Sequence, residues 1–516
     1  MYFLVVVAFA LLLTDGLPSE RWNLLPLRPG DSGLAAARPT LAVALSGIVA
    51  VGLAARVCNF LALRRHDGSS RGLDRLAETS VRGGHVVLGL LGGFVAFHFL
   101  CTPWIPVVRF RWGLGQWPLA AEVVLIAPFL AATVLSWVML YPVDRVIRAA
   151  TLRVRMLEGA PPQPVWGLGR YLDYKFRHQV LVIAVPMLIV ILIRHYTSAH
   201  REGLARALRI PWAADALLGL AAAAVLLIAP ALIRVIWWPS ALPPGDLRDR
   251  LERLCRRVGL RVRNILVWDS GALIVNAAVM GFVAPIRYVL LSDGLVQSMH
   301  PRQIEAVFAH EAGHVRHHHL PFYLVFALCS MMIVGGALEG LVRLADVDDA
   351  TLQLTAMAAT LLIWGAGFGY VSRCFERQAD VFGVRAIAPD IERCSDDCAV
   401  HGPTAAGVEA AHATAAAGPP PTAALCAGAT HVFGSTLLQI ADLNGIPREA
   451  PSWRHGSITA RCRLLHDLAR SPAAAARFDR RLRAIKVGLA LVALVGAAGA
   501  AWLYWPAEAI RALLQG

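Results

Sequence analysis

Residues 301–319 read PRQIEAVFAHEAGHVRHHH, and this stretch decides how the rest of the chain is interpreted. His310 and His314 are four positions apart, and Pro301 suits the first position of a helix. Residues four apart on a helix differ by about 40° of rotation, so both imidazoles can point at one metal ion. Glu311 lies beside them, where its carboxylate could take a proton from a zinc-bound water. The stretch therefore predicts a helix that carries a catalytic zinc site.

A second pair of side chains supplies what the two histidines lack. A catalytic zinc site needs a third protein ligand and an open position for water. Glu376 and Asp380 are also four apart, in the stretch FERQAD at 375–380, so one can bind the metal while the other orients a ligand histidine. The alternative, histidines that lie on a polar helix surface by chance, becomes much weaker once this pair is included.

The composition around these motifs is typical of a membrane protein. Hydrophobic residues make up 57% of the 516 residues and charged residues only 16%, against about 25% charged in soluble domains. Apolar runs approach the ~20 residues that cross a bilayer. The predicted spans are Leu41–Leu63, His85–Thr102, Leu119–Tyr141, Gln179–Ile193, Ala213–Trp238, Leu320–Val342, Thr351–Val371 and Val487–Trp505. A ninth run, Tyr2–Leu13, is interpreted as a membrane segment because it lacks the basic start and cleavage site of a signal peptide.

The net charge of +14 comes almost wholly from arginine. The arginines are scattered through loops and do not line one face with interleaved aromatics, which argues against a nucleic-acid partner. Loops rich in arginine alternate with loops poor in it, as expected when cytoplasmic loops carry the excess of positive charge. Residues 239–319 and 372–484 are both rich in arginine. Both long polar segments are therefore predicted to face the cytoplasm.

Four sequence blocks together resemble the integral-membrane gluzincins, which include the type I CAAX prenyl endopeptidases and the HtpX heat-shock protease. The blocks follow the family's order, with two predicted spans between the second and the third. They are VNA at 275–277 with LSDGL at 291–295, then 304–314, 376–380, and HGSITAR at 455–461. The likeness covers residues 240–484. Gly456 stands where both branches usually have proline, so the sequence does not choose between them.

The resemblance implies a role for each matched side chain. His310, His314 and Glu376 would bind one zinc ion, and Glu311 would act as general base. Asp380 would hold a ligand histidine. The remaining implied roles are stabilisation of the oxyanion by His455 and Arg461, and contact with the substrate by Asn276 and Ala277 at an edge strand, where a peptide can add as an extra strand.

These observations predict a polytopic α-helical membrane protein with an α+β zincin-like (gluzincin) catalytic domain on the cytoplasmic side. The predicted organisation is an N-terminal transmembrane region (1–238), a first catalytic segment (239–319), a helical hairpin (320–371), a second catalytic segment (372–484) and a C-terminal transmembrane helix (485–516). Within the first catalytic segment the pattern indicates an amphipathic helix at 246–258 and strands at 262–268, 273–280 and 287–291. Residues 399–430 are rich in Ala, Gly and Pro and are interpreted as a flexible insertion.

For two further groups of metal-binding side chain types, the sequence favours an interpretation without a bound metal. His317, His318 and His319 rotate away from the metal face of a continuous helix, so a solvated cluster is favoured over a second metal site. Cys394 and Cys398 are four apart near His401 and His412 and could bind a metal, but their flanks have the composition of a mobile segment. The odd number of cysteines, 9, argues for a reducing compartment without a disulfide framework.

The sequence as a whole predicts a zinc-dependent membrane endopeptidase that acts on polypeptide substrates, in membrane-protein quality control or in precursor processing. A signalling protease that cleaves one regulator is one alternative. A non-catalytic receptor or scaffold that retains the zinc fold is another. The arginine-rich and alanine-rich composition suggests a bacterial inner membrane as its location, and the sequence carries no indication of oligomeric state.

Overall fold

The computed structural model describes residues 24–25, 33–67, 69–157, 159, 162–345, 347–391, 394, 398, 400–401 and 424–504. Across these residues the chain divides into two compact units. Unit 1 is Met1–Pro239 with Asp269–Leu273, and unit 2 is Ser240–Trp268 with Ile274–Gly516. The predicted segment Tyr2–Leu13 lies outside the described residues.

Eight helices in the described part of the chain are long and apolar enough to cross a membrane, and each contains or overlaps one of the eight predicted spans. The prediction of a polytopic α-helical protein is therefore confirmed. These helices are Ala37–Arg64, Arg71–Cys101, Ala120–Leu157, Leu168–Ala199, Ala213–Trp237, His319–Leu344, Thr355–Asp390 and Pro472–Gly499.

Unit 1 is built from helices. They are α1 (Gly33–Arg64), α2 (Ser70–Cys101), α3 (Ala120–Leu157), α4 (Leu168–Ala199), α5 (Arg201–Leu208) and α6 (Ala213–Trp237). Aromatic packing joins α2 to α3, since the fully buried His98 ring lies 5.7 Å from the ring of Phe129. His98 also lies 5.4 Å from Trp104, and the Trp104 indole donates to the carbonyl of Leu125 on α3.

A four-stranded sheet lies at the start of unit 2. Its strands are β1 (Ser240–Ala241), β2 (Asn264–Trp268), β3 (Ala277–Met280) and β4 (Tyr288–Ser292), in the order β1-β2-β4-β3. β2 and β4 run parallel, whereas β1 and β3 pair antiparallel with their neighbours. The predicted strands at 262–268 and 273–280 are present in shortened form, the one at 287–291 is shifted by one residue, and β1 was not predicted. Because β3 is at the end of the order, its outer side is a free edge.

Helices make up the rest of unit 2. They are α7 (Asp246–Arg257), α8 (Asp293–Ser298), α9 (Pro301–Arg316), α10 (His319–Leu344), α11 (Asp349–Leu362), α12 (Gly369–Ile387), α13 (Ala427–Leu443), α14 (Ile458–Arg470) and α15 (Pro472–Tyr504). The predicted amphipathic helix corresponds to α7, whose Leu251 and Leu254 are buried in one core with Phe308 of α9 and Phe433 of α13. This core fixes the positions of α9, α12 and α13, which surround the site.

The predicted flexible insertion needs a correction at its end. The prediction extended to Thr430, but α13 begins at Ala427, and Leu425 and Cys426 before it are 1% and 0% exposed. The composition misled because the glycines and prolines of this stretch favour loops, whereas Ala429 and Thr430 at its end are buried in the core. Residues 402–423 lie outside the described residues.

Candidate active site

Helix α9 places the two histidines of the HExxH stretch. His300 caps its N-terminus, because its side chain accepts from the backbone N–H of Arg302 while Gln303 accepts from the backbone N–H of His300. Pro301 occupies the first turn, as predicted. Ile304 and Phe308, four apart, are 1% and 0% exposed, so one face is anchored in the core. The neighbouring face is left to carry the functional side chains.

Helix α12 brings the carboxylates to this face by packing very close to α9. A Cβ atom at Gly313 would lie 3.0 Å from the Cα of Ala379, which is tighter than ordinary packing allows. A Cβ atom at Gly383 would lie 2.5 Å from the Phe433 ring. Glycine at both positions therefore lets the helices approach, and Glu376 and Asp380 can reach the histidines.

His310, His314 and Glu376 present their ligand atoms to a common point. His310 Nε2 lies 3.2 Å from His314 Nε2 and 3.5 Å from Glu376 Oε2. His314 Nε2 lies 3.6 Å from Glu376 Oε1. Zinc bonds of about 2.0–2.1 Å in a tetrahedron separate ligand atoms by about 3.3–3.4 Å. The three side chains are thus spaced as ligands of one zinc ion, and they form a group able to hold a metal.

The electrostatics of the site also fit a cation. Burial alone would lower the pKa of His310, but the Asp380 and Glu376 carboxylates outweigh it and raise the pKa to about 10. Burial lowers the pKa of His314 to about 3, so its imidazole is neutral and has a lone pair to offer. Glu376 is 4% exposed. A buried cluster that attracts positive charge this strongly suits a divalent metal ion.

Asp380 holds His310, and Arg461 in turn holds Asp380. The Asp380 Oδ1 atom lies 2.9 Å from His310 Nδ1, on the side of the ring away from the other ligands. Arg461 donates through Nε and Nη2 to the two Asp380 oxygens, at 2.8 and 2.5 Å. Arg461 is only 7% exposed. A fixed carboxylate on Nδ1 leaves Nε2 of His310 free to bind metal.

His319 orients the second histidine, and the prediction of a solvated cluster is wrong for this residue. It is 1% exposed, its Nδ1 lies 2.8 Å from His314 Nδ1, and its Nε2 lies 2.9 Å from Gln378 Oε1. Because the Gln378 oxygen only accepts, His319 carries its proton on Nε2 and accepts from His314 Nδ1–H. That arrangement leaves a lone pair on His314 Nε2.

The chain reaches this position because α9 does not continue through the histidine run. His318 has φ of +56°, and α10 begins at His319. The rotation expected of a straight helix therefore does not apply. Pro321, which suits the first turn of a new helix, is the sequence signal that could have indicated the break.

Glu311 lies between the ligand cluster and the sheet. Burial raises the pKa of Glu311 to about 7, although His310 nearby and a hydrogen bond with the Val279 backbone favour the ionised form. A base works best when its pKa is near the operating pH. The structure thus gives this carboxylate the proton affinity that a general base needs.

His455 and Arg461 differ in solvent exposure, and therefore in how easily an incoming substrate could reach them. The His455 side chain is 48% exposed, and its Nδ1 lies 3.0 Å from Glu376 Oε2. It can therefore face both the ligand cluster and solvent. Arg461 is buried and binds Asp380 with two of its nitrogens. These contacts suit a residue that positions Asp380, and the role at the oxyanion that the resemblance implies stays a prediction.

Asn276 and Ala277 flank the start of the edge strand β3. Asn276 is exposed, and its Oδ1 accepts from the Ala277 backbone N–H at 2.9 Å. Ala277 is 3% exposed and belongs to the core. The pleat turns the Ala277 side chain inward, so the predicted substrate contact of this residue stays a prediction for its backbone.

The comparisons with known proteins find similarity to proteases. The sequence model of peptidase family M48 matches residues 241–400. A CAAX prenyl protease 1 homolog of Arabidopsis thaliana is 28% identical over 162 residues, which are 28% of this chain and 38% of that protein. A Protease HtpX homolog of Janthinobacterium sp. (strain Marseille) is 37% identical over 82 residues, 16% of this chain and 27% of that protein.

A solved structure and the extent of the matches complete the comparison. The crystal structure of S. mikatae Ste24p aligns with 85% of this chain and 100% of its own, at 15% sequence identity and a TM-score of 0.40. The chain spans about two fifths or less of the length of the two curated relatives. The family match confirms the resemblance to membrane zinc metallopeptidases, and residues 241–400 of this chain are similar to peptidase family M48.

Proposed function

We propose that this protein is a zinc-dependent endopeptidase that hydrolyses peptide bonds of polypeptide substrates at the membrane surface. The observation that carries the proposal is the position of Glu311 beside the converging ligand atoms of His310, His314 and Glu376. A purely structural zinc site is closed by four protein ligands. A site of three ligands with a carboxylate base next to it has a use only if water or substrate takes the fourth position.

Each residue of the site has a separate role in the proposed hydrolysis. Zinc, when bound, would lower the pKa of a coordinated water and polarise the peptide carbonyl. Glu311 takes the proton of the attacking water and passes it to the amine that leaves. Asp380 and His319 keep the two histidines in the tautomer that binds metal. His455, half exposed at the rim of the cluster, can donate to the oxygen on which negative charge develops.

The free edge of β3 suits a substrate in extended conformation. Asn276 and Ser292 form a hydrogen-bonded pair, since Ser292 N donates to Asn276 O at 2.9 Å. Alternation along an antiparallel pair then turns the backbone carbonyls of Ala277 and Val279 toward the free edge, while their N–H groups bond to Asn276 Oδ1 and to Glu311. A peptide that adds there as a further strand would pass Glu311, which the Val279 backbone contacts. This placement favours unfolded or extended segments over folded domains.

The membrane helices and the distribution of arginine support a proposal for where the protein acts. Arginine-rich segments at 239–319 and 372–484 favour a cytoplasmic active site, and the composition favours a bacterial inner membrane. A site at the bilayer surface would meet misfolded membrane proteins or exported precursors. We therefore propose quality control or precursor processing as its role.

Cleavage of an unfolded model protein by the detergent-purified full chain tests this function. Wild type and Glu311→Gln are compared, with zinc content measured in both. We expect equal zinc content and a fall in cleavage of about 100- to 10,000-fold, the contribution of a general base. Equal cleavage by the two proteins would refute the mechanism. Bound zinc without any cleavage would instead favour the receptor or scaffold.

A further inference from the structure

A second cluster of metal-binding side chains lies in unit 2, outside the site described above. Cys394, Cys398 and His401 follow α12, and Cys426 immediately precedes α13. One ligand atom from each of the four lies within 4.8 Å of all the others. Cys398 and Cys426 are 3% and 0% exposed. His412, considered with this group in the sequence, lies outside the described residues.

The spacing of these atoms matches a tetrahedral zinc site. Cys394 Sγ lies 3.6 Å from Cys426 Sγ, and His401 Nδ1 lies 3.6 Å from Cys398 Sγ and 3.3 Å from Cys426 Sγ. With zinc bonds of about 2.3 Å to sulfur and about 2.0–2.1 Å to nitrogen, a tetrahedron separates two sulfurs by about 3.8 Å and a sulfur from a nitrogen by about 3.5 Å. The observed distances agree with these values to within a few tenths of an ångström.

Backbone hydrogen bonds to two of the sulfurs are a second, independent indication. The N–H of Gly428 donates to Cys394 Sγ at 3.3 Å, and the N–H of Ala429 donates to Cys426 Sγ at 3.4 Å. Both N–H groups belong to the first turn of α13, where helix N–H groups have no partner within the helix. A thiolate accepts such bonds far better than a thiol, and the positive end of the helix dipole favours the negative sulfur. These two N–H groups therefore favour the charged form of the sulfurs, which is the form that binds metal.

Two simpler explanations account for less of this arrangement. Buried cysteines often serve as small apolar side chains, but that role does not require three sulfurs and an imidazole to meet at one point. A disulfide between Cys394 and Cys426 would need their sulfurs about 2.05 Å apart, and it would leave Cys398 and His401 without a purpose. All three cysteines are free in the structure.

We propose that Cys394, Cys398, His401 and Cys426 bind a second, structural zinc ion. Four protein ligands close the coordination sphere, so this ion takes no part in catalysis. It joins the segment after α12 to the N-terminus of α13. The consequence reaches the active site, because Phe433 of α13 packs against the α12 glycine at 383 and lies 6.3 Å from the His310 ring. The ion would thus keep α13 in place against the helices that carry the zinc ligands.

Zinc counting on the full chain tests this proposal separately from the proposed function. The detergent-purified protein, prepared with reductant, is analysed for zinc per chain. We expect two zinc ions in wild type, one in Glu376→Ala, which removes a catalytic ligand, and one in Cys426→Ser. The matched control is Cys462→Ser, a free cysteine outside the cluster, which should keep both. One zinc in wild type that Glu376→Ala abolishes would overturn the second site and leave the first intact.

Cobalt provides a measurement that leaves all four proposed ligands of the second site in place. Glu376→Ala is stripped of metal and loaded with Co²⁺, and its absorption is recorded. Tetrahedral coordination by thiolates should produce intense sulfur-to-cobalt charge-transfer bands in the near ultraviolet. Absence of these bands, or a Cys394–Cys426 disulfide found by mass spectrometry of protein alkylated at lysis, would refute the proposal.

Discussion

Replacement of Arg461 tests whether the active site depends on the chain of contacts from Arg461 through Asp380 to His310. Arg461→Met keeps the length of the side chain but removes Nε and Nη2, which donate to the two Asp380 oxygens at 2.8 and 2.5 Å. Asp380 is 1% exposed, so its buried charge would lose its arginine partner. Loss of one partner from a buried ion pair costs about 3–5 kcal/mol of the free energy of unfolding.

The same change should weaken zinc binding more than it slows the chemistry. Asp380 lies 2.9 Å from His310 Nδ1, and loss of such an outer contact lowers metal affinity by about 10- to 100-fold. We expect a fall of that size in Arg461→Met. At saturating zinc, turnover should fall far less than the roughly 100- to 1000-fold that follows removal of one oxyanion donor.

Two measurements on one set of proteins decide the matter. Zinc affinity is determined by competition with a chromophoric chelator, and cleavage of the unfolded model protein is followed at saturating zinc. Arg463→Met is the matched control, because this arginine is exposed on the same helix two residues further on. Unchanged zinc affinity combined with a hundredfold loss of turnover in Arg461→Met would refute the positioning role and restore the oxyanion role predicted from the sequence.

Four further predictions concern the base, the second histidine and the metal. The pKa of the acidic limb in the pH profile of kcat/KM should be at or below about 7, because burial raises the pKa of Glu311 to about 7 and bound zinc opposes that rise. If the residual activity of Glu311→Gln keeps the same acidic limb, the limb belongs to another group. In zinc-free protein, the contribution of Glu311 to the free energy of unfolding is fully present below about pH 4.5 and is lost as the pH rises to about 7. Thermal unfolding in the presence of a chelator should therefore show this loss of stability in wild type and not in Glu311→Gln. His319→Ala should lower zinc affinity by about 10- to 100-fold. The control His318→Asn changes an exposed neighbour to a residue that also adopts the left-handed turn, and it should leave zinc affinity unchanged. Equal losses in the two variants would show that the turn, and not the His319 side chain, matters. Removal of zinc should abolish cleavage and its return should restore it, and activity that survives complete removal would contradict metal-dependent hydrolysis.

Features set by local spacing could be predicted from the sequence. The pair of histidines four apart, the second pair at Glu376 and Asp380, and the eight apolar spans all depend on the pitch of a helix or the thickness of a bilayer. These quantities are the same in every protein. The sequence alone was therefore enough to predict that His310, His314 and Glu376 converge and that the protein has a helical membrane architecture.

Contacts between distant regions of the chain required the tertiary structure. Arg461 is 81 residues from Asp380, and Cys426 is 32 residues from Cys394, so packing alone decides that these pairs meet. His319 was misjudged because one residue in a left-handed conformation, His318, ends α9 and turns the next side chain back toward His314. Periodicity assumes that a helix continues, and it fails wherever a single backbone angle reverses the chain.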